Sequence, residues 1–185
     1  MALTATMYHF QITLSDVDRG VYEALDLRVA RHPSETMRYL LTRTLAYCLS
    51  YENGIAFSKG GLSSADEAPL SVRDATGVLR AFIDVGQPSA ERLHKASKAA
   101  PRVALFTHVE LSLLLREASA RPIHRLEAIE VWLIEPEFLD KLADKIGKNE
   151  KFELVRTDGQ LYVTLASETL NGSLTRCSLV APPEA

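Results

Sequence analysis

The sequence predicts an α/β protein: one compact domain over residues 1–185, with a mixed β-sheet flanked by helices. Three observations predict it. Apolar residues alternate in several short stretches, the signature of half-buried strands. Apolar residues recur at three and four in four longer stretches, the signature of amphipathic helices. The two patterns interleave along 185 residues without a linker, repeat or low-complexity segment. A chain of that length can bury one real core.

Residues 7–14 alternate, with Tyr8, Phe10, Ile12 and Leu14 on one face. Ser15 to Gly20 reads as a turn, and residues 21–30 alternate again through Val21, Leu25, Leu27 and Val29. The pair predicts an antiparallel hairpin. His32-Pro33-Ser34-Glu35 opens the first helix, with either His32 or Ser34 as its cap. Met37, Leu40, Leu41, Thr44, Leu45, Cys48 and Leu49 form its buried stripe. Glu35, Tyr39 and Arg43 fall on a different flank, where the simplest expectation is a solvated face.

Asn53-Gly54 ends that region, and residues 55–58 read as a short strand. Gly60-Gly61 and Ser63-Ser64 predict a mobile loop that ends in Asp66-Glu67. Residues 70–73 and 78–85 form the arms of a hairpin with Asp74-Ala75-Thr76-Gly77 as its turn. Gly86-Gln87-Pro88 breaks the second arm. Ser89 then caps a helix over 90–100 that buries Leu93, Ala96 and Ala100. Residues 103–107 form a short apolar strand. Residues 34–107 therefore run helix, strand, strand, strand, helix, strand.

The later half continues the mixture. A helix over 110–120 turns Leu111, Leu114, Leu115 and Ala118 inward, and residues 125–134 read as a strand. Pro136 starts a helix that stops at Gly147. Residues 152–156 and 161–165 flank Thr157-Asp158-Gly159-Gln160, a hairpin turn. Asn171-Gly172 reads as another turn, residues 174–180 as a closing strand, and 181–185 as a frayed tail.

Composition narrows the function. Hydrophobic residues are 46% and charged residues 24%, ordinary for a globular protein. The net charge of -3 argues against a dedicated nucleic-acid binder, although basic patches can be local. Two cysteines, Cys48 and Cys177, have no paired spacing, so a reducing cytoplasm is expected. No signal peptide or membrane-length apolar run is read in the chain. The five histidines show no zinc spacing, and no Gly-x-Ser-x-Gly elbow or phosphate-cradling glycine loop occurs.

The acids between Asp66 and Asp84 carry the chemistry. Mg²⁺ takes carboxylate and water oxygens, usually one or two carboxylates plus a substrate phosphate. Asp84, near the end of a buried strand, and Asp66 or Glu67 from the preceding loop can supply that pair. Lys95 on the following helix would stabilise the charge of a phosphoryl transition state. Arg92 is its neighbour at i, i+3. The bland alternative is a solvated loop, a strand-end acid and a lysine on a wet face.

Met1-Ala2-Leu3 with Ala5, the run Ala30 to Thr36 that contains Arg31-His32-Pro33-Ser34-Glu35-Thr36, the pair Asp66-Glu67, Gly86 with Pro88, Arg92 with Lys95-Ala96, and Val103 to Thr107 together resemble the bacterial YaeQ family. The resemblance covers essentially the whole chain. It implies a variation of the PD-(D/E)XK nuclease, restriction-endonuclease-like core, whose order is αβββαβ, with added N- and C-terminal strands. Glu35 would match that superfamily's helix glutamate, Asp66 or Glu67 its loop aspartate, and Asp84 its second acid. The lysine expected two residues after that acid is replaced by Gly86; Lys95 could restore the charge. The resemblance thus implies a Mg²⁺- or Mn²⁺-dependent phosphodiesterase acting on nucleic acid; Arg92, Lys95 and Arg43 are the expected phosphate contacts. The competing expectation is a non-catalytic module on a degenerate nuclease core that binds nucleic acid or a protein.

Overall fold

A computed structural model describes residues 4–59 and 66–180, and within them the mixed α/β class holds. The expectations for Gly60-Gly61, Ser63-Ser64 and the tail from Ala181 lie outside the described residues. The chain divides into two compact units, residues 1–49 with 134–174, and residues 50–133 with 175–185. No helix among the described residues is long and apolar enough to cross a membrane.

The first unit is built on the predicted hairpin. β1 (Thr6–Asp16) pairs antiparallel with β2 (Val21–Arg31) along its full length. β1 also pairs in parallel with β8 (Asn149–Thr157), which continues antiparallel through β9 (Gln160–Thr164) to β10 (Thr169–Cys177). Phe10, Ile12 and Leu14 are at most 2% exposed. Each contributes roughly 1.5–3 kcal/mol of burial. The β8–β9 turn places Asp158 and Gly159 at φ 51 and 70, the left-handed geometry that the Asp-Gly pair predicts. Asp18 fixes that turn by accepting the Asp158 and Gly159 amides at 2.7 and 3.1 Å.

Two helices belong to this unit, α1 (Met37–Leu49) and α4 (Pro136–Lys145), and a bidentate Arg38–Asp140 pair at 2.6 Å joins them. Neither His32 nor Ser34 caps α1. The cap is Thr36, whose Oγ1 accepts the Tyr39 amide at 3.1 Å. His32 and Ser34 instead bond each other at 2.7 Å in the turn before the helix. The solvated flank is also corrected: Arg43 and Glu35 are 7% and 3% exposed, and only Tyr39 is half-buried. The expected turn at Asn171-Gly172 is strand, paired with Tyr162 and Leu161 of β9. Its glycine answers to close packing. A Cβ on Gly172 would fall 2.4 Å from Cβ and Cγ of Phe138 in α4.

The second unit has the strand order β7-β6-β5-β4-β3. β3 (Ile55–Phe57), β4 (Leu70–Arg73) and β5 (Leu79–Val85) are antiparallel neighbours, and β5, β6 (Arg102–Thr107) and β7 (Glu130–Ile134) are parallel. A parallel pair needs a crossover, and α2 (Ala90–Ala99) supplies it between β5 and β6. Leu93 and Ala96 of α2, with Leu114 and Ala118 of α3 (Leu111–Ser119), close a core over Phe82, Leu105 and Val131. The strand expected over 125–134 is shorter. Leu126–Ala128 is a 3-10 turn, because Arg125 takes φ 47 and donates to the carbonyls of Ala100 and Pro101.

Candidate functional site

The second unit positions its acid on a strand buried on both sides. Residues 81–85 of β5 are all buried, and Asp84 is 2% exposed. Burial pushes the Asp84 carboxyl above the usual carboxylate range, and the Arg92 guanidinium opposes that shift. Asp84 Oδ1 accepts the Val85 amide at 3.0 Å, and Oδ2 accepts Arg92 Nε at 2.6 Å. The chain must turn immediately afterwards to enter α2. It does so at Gly86, with φ 85, while the Gly86 amide donates to the Phe106 carbonyl at 2.9 Å. A lysine at this position would carry its Cβ in a left-handed conformation that strains any L side chain. The backbone therefore disfavours at this position the lysine that the nuclease resemblance leads one to expect.

α2 then brings the cations to the acid. Ser89 caps it by accepting the Arg92 amide, as expected. One turn in, Arg92 folds back towards β5. Its Nη2 donates to the Glu67 carbonyl at 2.9 Å, and its guanidinium lies 5.5 Å from the Phe82 ring centroid. Lys95, one turn further, goes elsewhere. Its Nζ is 3.3 Å from Glu91 Oε1 and 3.9 Å from Asp66 Oδ1, and its side chain is 62% exposed. The cation bonded to Asp84 is therefore Arg92.

Arg92 and Lys95 open on a cleft of about 420 Å³ that is lined also by Asp66, Phe82, Ser89, Glu91, Ala96 and Ala99. A second cleft of about 670 Å³ shares Asp66 and Phe82 and adds Lys59, Glu67 and Arg73. Asp66 and Glu67 are both exposed. The structure thus gathers Asp66, Glu67, Asp84, Arg92 and Lys95 around one region of the second unit. Glu35 and Arg43 belong to the first unit, where they bond each other. Glu35 Oε1 accepts both Arg43 Nε and Nη2, and Oε2 accepts the His32 amide.

Two contributors escape a reading by residue type. Glu117 of α3 accepts the Ala90 amide at 3.1 Å, placing a carboxylate at the α2 N-terminus. It lies 27 residues away, beyond any local pattern. Phe82 reads as one more apolar residue of β5 but forms the surface beneath Arg92.

Among the described residues, no group of three or more His, Cys, Asp or Glu side chains is placed to hold a metal ion. Both Asp84 oxygens already accept hydrogen bonds. The donor set around Asp84, as arranged, matches a guanidinium rather than a divalent ion.

The family described as YaeQ protein matches residues 1–174. The uncharacterised YaeQ protein of Escherichia coli K12 is 27% identical over 176 residues, covering 95% of this chain and 97% of that protein. The crystal structure of YaeQ from Pseudomonas syringae matches with TM-score 0.84 and 29% identity, over 94% of this chain and 96% of that one. The YaeQ structure from Xanthomonas axonopodis pv. citri matches with TM-score 0.84 and 28% identity, over 95% and 99%. Sequence and fold agree over nearly the whole length, and the chain belongs to the YaeQ family.

Proposed function

We propose that the cleft of the second unit binds the phosphodiester backbone of nucleic acid, on a degenerate nuclease-like core. The observation that carries this reading is Arg92, held at the cleft wall between the Asp84 carboxylate and the Glu67 carbonyl. A planar guanidinium anchored in this way is preorganised, so a phosphate gains a fixed cation without ordering a long side chain. Lys95 adds a second charge on the same cleft, and Lys59 and Arg73 line the adjoining one. The order α1, β3, β4, β5, α2, β6 is the αβββαβ order of the nuclease core, which supports the likeness.

Fluorescence anisotropy with labelled single- and double-stranded DNA and RNA tests the reading. Binding should weaken as salt rises, because phosphate contacts release counterions. Arg92→Ala and Lys95→Ala should both reduce it. Failure of every oligonucleotide to bind at low salt would end the proposal.

One observation favours the catalytic alternative, a Mg²⁺- or Mn²⁺-dependent phosphodiesterase. The exposed carboxylates of Asp66 and Glu67 line a cleft that β5, the strand of Asp84, also borders. Cleavage of the same oligonucleotides in Mn²⁺, lost in Asp84→Asn, would establish that reading over the binding module.

A further inference from the structure

Three contacts of Arg92 bear on this site. Nε donates to the buried Asp84 carboxylate at 2.6 Å, Nη2 donates to the Glu67 carbonyl at 2.9 Å, and the guanidinium stacks over Phe82. Both oxygen partners come from residues that a divalent ion would use. An ion bound through Asp84 would need its oxygens at about 2 Å, with water completing the shell. Asp84 Oδ2 is already held by Arg92, and Oδ1 by the Val85 amide. A second cation there would face the guanidinium across one carboxylate whose side chain is only 3% exposed. Like charges at that separation repel strongly when water is excluded.

The neighbouring backbone points the same way. Gly86 leaves β5 with φ 85, so the strand itself offers no cationic side chain two residues after Asp84. α2 supplies the charge instead. Lys95 is a poorer source, because Glu91 and Asp66 already sit within 4 Å of its ammonium.

We infer that Arg92 is the resident cation of this site, standing between Asp84 and Glu67 in place of a divalent ion, so that nucleic acid binds there without metal. The ligand half of the inference rests on the proposed nucleic-acid function; the metal half stands without it.

The test uses the full chain. Free Mn²⁺ is followed by electron paramagnetic resonance during titration with wild type, Asp84→Asn, Arg92→Lys, Arg92→Ala and the Asp84→Asn/Arg92→Ala double variant. Wild type and Arg92→Lys should leave the free-ion signal unchanged. Arg92→Ala should take up one ion at least tenfold more tightly than wild type, and the double variant should lose it. Wild-type uptake of an ion that Asp84→Asn abolishes would overturn the inference. So would a folded Arg92→Ala with no gain. If circular dichroism shows Arg92→Ala unfolded, wild type, Asp84→Asn and Arg92→Lys decide alone. In parallel, a labelled oligonucleotide is titrated in EDTA and in Mn²⁺. Equal affinity within about twofold supports metal independence, and a tenfold gain in Mn²⁺ refutes it. Absence of oligonucleotide binding in both would sink the proposed function and leave the Mn²⁺ titration to judge Arg92.

Discussion

Two carboxylate–arginine pairs, one in each unit, make a natural comparison. Glu35–Arg43 and Asp84–Arg92 are each separated by eight residues, and in both an arginine on a helix reaches back to an acid that precedes it. Their surroundings differ. The Glu35 side chain is fully buried and that of Arg43 is only 8% exposed, with a fork of bonds from Nε and Nη2 to the carboxylate and a further bond from Nη2 to the Ala30 carbonyl. Asp84 is equally buried, but Arg92 is 23% exposed and lines an open cleft. One pair is closed on itself. The other holds a charged group at a boundary that a ligand can reach. Spacing and residue type are shared, so the functional difference lies in what surrounds the arginine.

The largest expected effect would break this comparison if it failed. Arg43→Ala leaves Glu35 buried without its partner, which costs about 3–5 kcal/mol when a buried pair is opened. Urea unfolding should show that loss in the midpoint. A loss no greater than that of Arg92→Ala would mean that the two pairs are energetically alike.

Arg92→Ala should cost less, about 1–3 kcal/mol, because its removal leaves a buried acceptor but lets water in from the cleft. The same variant should lose oligonucleotide binding, whereas Arg43→Lys, tested in folded protein, should not. Equal binding losses in both would remove the distinction between a closed pair and a cleft pair.

pH sharpens the contrast at Asp84. Its folded pKa is raised above the ordinary value of 3.8, chiefly by burial. The native state therefore holds that proton to higher pH than the unfolded state does. Through linkage, the contribution of Asp84 to stability is most favourable below 3.8 and falls as pH rises through the raised folded pKa. Asp84→Asn should remove this slope. The stability of wild type relative to Asp84→Asn, from urea melts across acidic pH, should decline over that window; a flat difference would refute the shift.

The smallest stability effect belongs to Lys95, which is 62% exposed with two exposed partners. Lys95→Ala should move stability by no more than about 0.5 kcal/mol. Its effect on oligonucleotide binding should still exceed that of Lys98→Ala, an exposed lysine on the same helix. Matching affinities for the two variants would confine recognition to Arg92.

Much of the chain's local architecture is legible in its sequence. β4 falls on residues 70–73 as expected, Ser89 caps α2, Pro136 opens α4, and Asp158-Gly159 makes its left-handed turn. These features depend on periodicity, caps and backbone preferences, which act within a few residues. The acids Asp66, Glu67 and Asp84 read as a group in the sequence because only the β4–β5 hairpin separates them. Other features needed tertiary structure. Asn171-Gly172 has turn chemistry, yet β9 pairs with it and the Phe138 ring requires the glycine. Glu35 and Arg43 look solvent-facing on a helical wheel, yet packing covers them and they satisfy each other. Arg92 and Lys95 carry the same charge one helical turn apart, so the sequence by itself determined that cations stand near Asp84. Which of them takes the carboxylate was decided only in three dimensions. A long side chain can reach several partners, and the position of Phe82 and the Glu67 carbonyl selects Arg92.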